Sequence, residues 1–155
     1  MNLEGKKAPA FTLEGTDGQE HSLADYKGKT VVMYFYPKDN TPGCTKEACG
    51  FRDLNAKMKK GDIVVLGVSK DSITSHNNFA EKYKLPFVLL SDPDAAMMKK
   101  YGAFGKKVMY GKEVQGTIRS TVIIGPNGDV LKHWRTVKKA ELHPEEVWAF
   151  LKHNA

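Results

Sequence analysis

The run Thr30-Val31-Val32-Met33-Tyr34-Phe35-Tyr36 constrains this chain most. It is β-branched and aromatic, and it is apolar at odd and even positions alike. A strand built from it has two faces that both need cover, unlike the alternating pattern of a half-exposed strand. Such a strand belongs to the middle of a sheet with helices on both sides. Pro37 ends it. Residues 63–68 repeat the pattern, and residues 87–90 give a shorter version. Residues 121–124 and 130–134 flank Gly125-Pro126-Asn127-Gly128, where the Asn-Gly step predicts a hairpin.

Helical patterns lie between the strands. Residues 42–60 carry Ala48, Phe51, Leu54, Ala56 and Met58 and stop at Gly61. A second helix over residues 73–84 follows Ser72, and a short one covers residues 94–101. Pro144 suits the first position of a last helix, with Glu145 and Glu146 next and Val147, Trp148 and Leu151 as its apolar stripe. The order β-α-β-α-β-α-ββ-α gives parallel strands first and an antiparallel pair last, hence an α/β fold with a mixed sheet. Residues 11–23 predict a small N-terminal hairpin. No repeat or linker divides the 155 residues, so one domain over residues 1–155 is expected.

Composition excludes several classes. The longest apolar run, residues 31–36, falls far short of the roughly 18 residues a membrane span needs. Residues 1–5 hold no apolar core of a secretory leader, and a cytoplasmic location is expected. Two cysteines cannot staple a disulfide scaffold. The net charge is +6, but its lysines fall in pairs with acids between them, so a solvated basic surface is expected rather than a nucleic-acid stripe. A basic face still steers acidic partners.

The chemistry concentrates where the first buried strand gives way to a helix. In an open α/β sheet, ligands collect at the carboxyl ends of strands. Thr41 reads as the N-cap and Pro42 as the first helical residue, which puts Cys44 in the first turn. Amides there lack intrahelical partners, and the helix dipole adds partial positive charge. Both favour the thiolate, the nucleophilic form of a cysteine. Cys49 follows five residues later. On an ideal helix the two Cα atoms lie about 8.7 Å apart on different faces, beyond the roughly 7 Å reach of a disulfide. Bonding them requires the helix to unwind locally, and Gly50 weakens it there by about 1 kcal/mol relative to Ala.

Other sites fit less well. Zinc needs four ligands, and the cysteine spacing is not C-x₂-C. The histidines at 21, 76, 133, 143 and 153 show no ligand pairing, so neither metal nor cofactor is expected. Cys49, beside Ala48 and Phe51, also suits an inert core thiol. A dithiol oxidoreductase of the thioredoxin kind wants C-x-x-C.

Pro37-x₃-Thr41-x₂-Cys44 matches the P-x-x-x-T-x-x-C signature of the peroxiredoxins. The stretch from Tyr34 to Asp53 resembles their Q-type branch, the bacterioferritin comigratory proteins. Agreement extends to Ala8-Pro9-x-Phe11, Gly67-Val68-Ser69, Leu89-Leu90-Ser91-Asp92, Tyr101-Gly102 and Gly116-x₂-Arg119-Ser120-Thr121. Val122 and Gly125 depart from the pattern, where an aromatic and an Asp are commoner. The resemblance implies a thioredoxin-like fold and a thiol peroxidase that reduces hydrogen peroxide and organic hydroperoxides, with thioredoxin or a similar dithiol protein as reductant. It implies that Cys44 is the peroxidatic cysteine and forms a sulfenic acid, and that Cys49 resolves it in an intramolecular disulfide. By the same resemblance Thr41 hydrogen-bonds sulfur and peroxide, Pro37 shields the sulfur, Arg119 completes the pocket, and Glu47 orients an arginine. An intramolecular pair needs no second subunit, so a monomer is expected, with a dimer left open. The rivals are a protein-directed disulfide oxidoreductase and a basic nucleic-acid binder.

Overall fold

The computed structural model describes residues 2–154. Strands β1 (Thr12–Gly15), β2 (Glu20–Ser22), β3 (Thr30–Phe35), β4 (Ile63–Ser69), β5 (Val88–Ser91), β8 (Ser120–Ile124) and β9 (Val130–Trp134) form one sheet in the order β2-β1-β5-β4-β3-β8-β9. The central strands β3, β4 and β5 run parallel, and β1 and β8 flank them antiparallel. The helices are α1 (Pro42–Lys60), α2 (Ile73–Tyr83), α3 (Ala96–Lys100) and α4 (His143–Asn154).

Strand β3 is covered on both faces, as its composition requires. Val31, Met33 and Phe35 pack with Leu66, Val68, Leu90 and Val122 and with Met97, Met98 and Tyr101 at α3. Val32, Tyr34 and Tyr36 pack on the other face with Ala48, Phe51, Leu54 and Met58 of α1, Phe79 of α2, and Val147 and Leu151 of α4. Alternation along the strand divides the core into two layers. The fold is α/β, with a mixed sheet between helices.

Several boundaries differ from expectation. The N-terminal hairpin forms, and β1 also pairs with β5 through Glu14↔Ser91 and Gly15↔Leu90, so it lies within the main sheet. The helix expected over 94–101 shortens to Ala96–Lys100, because the carboxylates of Asp94 and Asp92 take the amides of Ala96, Met97 and Met98. A two-stranded ribbon, β6 (Phe104–Met109) with β7 (Lys112–Thr117), stands outside the sheet and leads directly to Arg119. Its polar, glycine-containing strands carry no apolar run from which to expect it. No helix among the described residues is long and apolar enough to cross a membrane.

Candidate active site

Strand β3 ends at Phe35, and residues 36–41 carry the chain into α1 at the carboxyl edge of the parallel strands. Thr41 takes the N-cap position with extended backbone, and Pro42 follows as the first helical residue. The Thr45 amide closes the first turn on the Thr41 carbonyl at 2.8 Å. The Thr41 hydroxyl does not cap the helix. It donates instead to the Lys38 carbonyl at 2.9 Å. With its proton committed there, Thr41 Oγ1 is left as an acceptor.

Cys44 is buried at 1% exposure. It begins the inward stripe of α1 that continues through Glu47, Ala48, Phe51, Leu54 and Met58. The spacing of three residues puts Cys44 and Glu47 on one helix face. Arg119, in the turn between β7 and β8, reaches both. Its Nη2 donates to Cys44 Sγ at 3.2 Å and its Nη1 to Glu47 Oε1 at 2.6 Å. The guanidinium fork thus spans a sulfur and a carboxylate. Its backbone is fixed as well, since the Arg119 carbonyl accepts from the Val137 amide at 2.8 Å.

Gly43 makes this approach feasible. A Cβ at that position would sit 3.3 Å from Arg119 Nη2. Burial weighs against the charge on Arg119, but Glu47 and Cys44 outweigh it and raise the guanidinium above its ordinary range. Burial pushes the Glu47 carboxyl up to about 7, although Arg119 pulls it down. Glu47 Oε2 has no hydrogen-bond partner, and neither does the buried Tyr34 hydroxyl. Burial, with Glu47 and Cys44 next in weight, holds the Tyr34 phenol well above its usual range.

The structure therefore brings Cys44, Arg119 and Glu47 into direct contact. Thr41 and the half-buried Pro37 lie on the segment just before them. Cys49 is a free, partly exposed thiol further along α1, which is continuous through both cysteines. Gly50 lies against α4, where an added Cβ would meet Pro144 Cγ at 2.6 Å. Gly50 thus sits at a helix–helix contact.

A second polar group was not legible in the sequence. Asp39, Asp71 and His76 place ligand-type atoms within 4.8 Å of one another. Asp39 and His76 have every such atom hydrogen-bonded to protein, so a metal would first have to displace those protons. His143 is also buried, with Nε2 2.8 Å from Thr121 Oγ1 and Nδ1 2.9 Å from Glu146 Oε1. Burial lowers its pKa foremost, against the pull of Glu146.

Residues 4–133 match the model of the AhpC/TSA family. A putative peroxiredoxin Bcp of Coxiella burnetii is 50% identical over 148 residues, covering 95% of this chain and 97% of the relative. The peroxiredoxin Bcp of Bacillus subtilis is 45% identical over 153 residues, covering 98% of this chain and 97% of the relative. A structure of a Xanthomonas campestris peroxiredoxin Q variant superposes with a TM-score of 0.88 at 42% identity, covering 94% of this chain and 92% of that one. Another, described as bearing on the alkyl peroxide reduction activity of the bacterioferritin comigratory protein of that organism, gives 0.86 at 41% identity, covering 92% and 90%.

Proposed function

The chain belongs to the AhpC/TSA family and is a peroxiredoxin, a thiol peroxidase, and from that premise we propose that Cys44 is the peroxidatic sulfur and Cys49 the thiol that resolves it. The Arg119 guanidinium, 3.2 Å from Cys44 Sγ and locked on Glu47, is the observation that carries this reading. The sulfur attacks one oxygen of a hydroperoxide and the O–O bond breaks. The departing oxygen leaves with the bonding pair and takes up a proton, giving water from hydrogen peroxide or an alcohol from an organic hydroperoxide. Cys44 is left as a sulfenic acid.

Negative charge moves from sulfur to the departing oxygen during this step. Arg119 already touches the sulfur with a fixed donor, and the Gly43 and Cys44 amides open towards the same end of the helix. Donors fixed in advance need no reorganisation, and one such donor is typically worth about 3 kcal/mol. Thr41 Oγ1, as an acceptor, suits the peroxide O–H. Pro37, preceding the loop, suits a shield over the sulfur.

Cys49 then attacks the sulfenic sulfur, water departs, and a disulfide forms within the chain. The first turns of α1 unwind for this, with Gly50 as the boundary. Thioredoxin or a similar dithiol protein attacks the disulfide, and exchange restores both thiols. The cycle needs no second subunit and suits a soluble cytoplasmic monomer.

A peroxide-consumption assay coupled to thioredoxin, run on the parent, Cys44→Ser and Cys49→Ser, tests this. The parent turns over and Cys44→Ser does not. Turnover by Cys49→Ser at the parent rate would hand resolution to another thiol.

A further inference from the structure

Asp39 ties the loop before Cys44 to the rest of the molecule. Its carboxylate takes three donors: Tyr36 Oη at 2.5 Å on Oδ1, and Ser75 Oγ at 2.8 Å and His76 Nδ1 at 2.7 Å on Oδ2. Its amide donates to Asp71 Oδ2 at 2.9 Å. His76, at 0% exposure, turns its other nitrogen to the Leu90 carbonyl at 2.9 Å. Both ring nitrogens lie within hydrogen-bond distance of oxygen atoms on other elements. One histidine thus ties the loop after β3 to α2 and to β5. Asn40, in left-handed backbone at φ 63, adds a tie to α2, where its Oδ1 accepts from Lys82 Nζ and Tyr83 Oη at 3.3 Å each.

The hydrogen bond on the sulfur comes from Arg119 and not from this network, and the peroxidase chemistry makes no use of it. Its place in the chain gives it a consequence. Residues 36–41 set the direction in which α1 begins, and they adjoin the turns that unwind when Cys44 travels to Cys49. A buried pair of this kind holds one arrangement or is broken, with little between.

We propose that His76 is a positioning residue, acting through Asp39 as a latch that holds Cys44 in the arrangement that attacks peroxide and opposes its release for disulfide formation. This rests on the reading that Cys49 resolves Cys44. The latch makes the two half-reactions trade against each other. A tighter latch gives faster attack and slower resolution, so the sulfenic acid waits longer and meets a second peroxide more often.

Single-turnover stopped flow on Trp134 and Trp148 fluorescence separates the steps. The first phase depends on peroxide concentration and the second does not. In His76→Asn the first phase should slow roughly 10- to 100-fold, the range expected when a reacting group is misplaced by up to an ångström. The second phase should quicken, and more turnovers should precede inactivation at high peroxide. Ser75→Ala leaves the His76–Asp39 contact and removes one donor, so it should move both phases the same way by less, and it serves if His76→Asn does not fold. Loss of packing alone would slow both phases together. That outcome, or two unchanged phases, overturns the proposal. The first phase is also read in Cys49→Ser. A second phase that persists there removes Cys49 as the resolving thiol, while the first-phase comparison still decides whether His76 positions Cys44.

Discussion

Replacing Arg119 by Met removes the cation beside Glu47 and keeps most of its volume. The simplest expectation is a large loss of stability, because stranding one partner of a buried ion pair costs about 3–5 kcal/mol. Glu47 changes that arithmetic. Burial holds its carboxyl at about 7 even with Arg119 in place, against 4.5 for an ordinary glutamate, so at pH 7 it is about half ionised. Completing its protonation costs RT ln 2, about 0.4 kcal/mol, and the lost hydrogen bond adds about 1 kcal/mol. The predicted deficit at pH 7 is therefore about 1–2 kcal/mol. Above pH 7 the two proteins diverge. Folded Glu47 with a raised pKa makes stability fall as pH rises from about 4.5, where the unfolded group ionises, up to the folded pKa. In the parent that fall ends near 7. Without Arg119 the folded group keeps its proton to higher pH, and stability goes on falling by about 1.36 kcal/mol per unit. By pH 9 the deficit grows by up to about 2 kcal/mol. Urea unfolding at both pH values, in a Cys44→Ser background so that the thiol does not contribute, reads this directly. A deficit of 3–5 kcal/mol that is flat between pH 7 and 9 would refute the reasoning, since it would mean Glu47 is fully ionised and its charge stranded.

Gly43→Ala puts a Cβ 3.3 Å from Arg119 Nη2, so the guanidinium shifts by a few tenths of an ångström; peroxide attack should slow by roughly tenfold in stopped flow while the melting temperature hardly moves. Tyr34→Phe removes a buried hydroxyl that has no partner and should stabilise the protein by about 1 kcal/mol in urea unfolding, a loss of stability contradicting this. Gly50→Ala favours helix by about 1 kcal/mol but drives a Cβ to 2.6 Å from Pro144, and overpacking costs about 1–3 kcal/mol, so net destabilisation is expected in a thermal melt.

What the sequence disclosed follows from how local each feature is. The strand at residues 30–35 was legible because both-faced apolar character has few other homes, and α1 because Thr41, Pro42 and Gly61 mark its ends. Cys44 followed from its place at that helix start. Arg119 lies 75 residues from Cys44, and only the turn between β7 and β8 delivers it, so its role came through family resemblance. Glu47 was legible as a position, but its full burial, its unpartnered oxygen and its raised pKa belong to the folded molecule. The Thr41 hydroxyl looked like a helix cap, and the Lys38 carbonyl three residues back competes for its proton. The β6–β7 ribbon leaves little mark on the sequence because its residues alternate weakly and bury little. The Asp39–His76 contact joins residues 37 apart that no motif links.

In the proposed cycle one sulfur, Cys44, meets the peroxide and Cys49 closes the cycle within the chain. Peroxide consumed per chain in a single turnover without reductant, followed by peptide mapping, tests it most directly. One equivalent is expected for the parent with a Cys44–Cys49 disulfide, one equivalent for Cys49→Ser without it, and none for Cys44→Ser. Consumption by Cys44→Ser, or a parent oxidised by one equivalent with no intrachain link between the two cysteines, would contradict it.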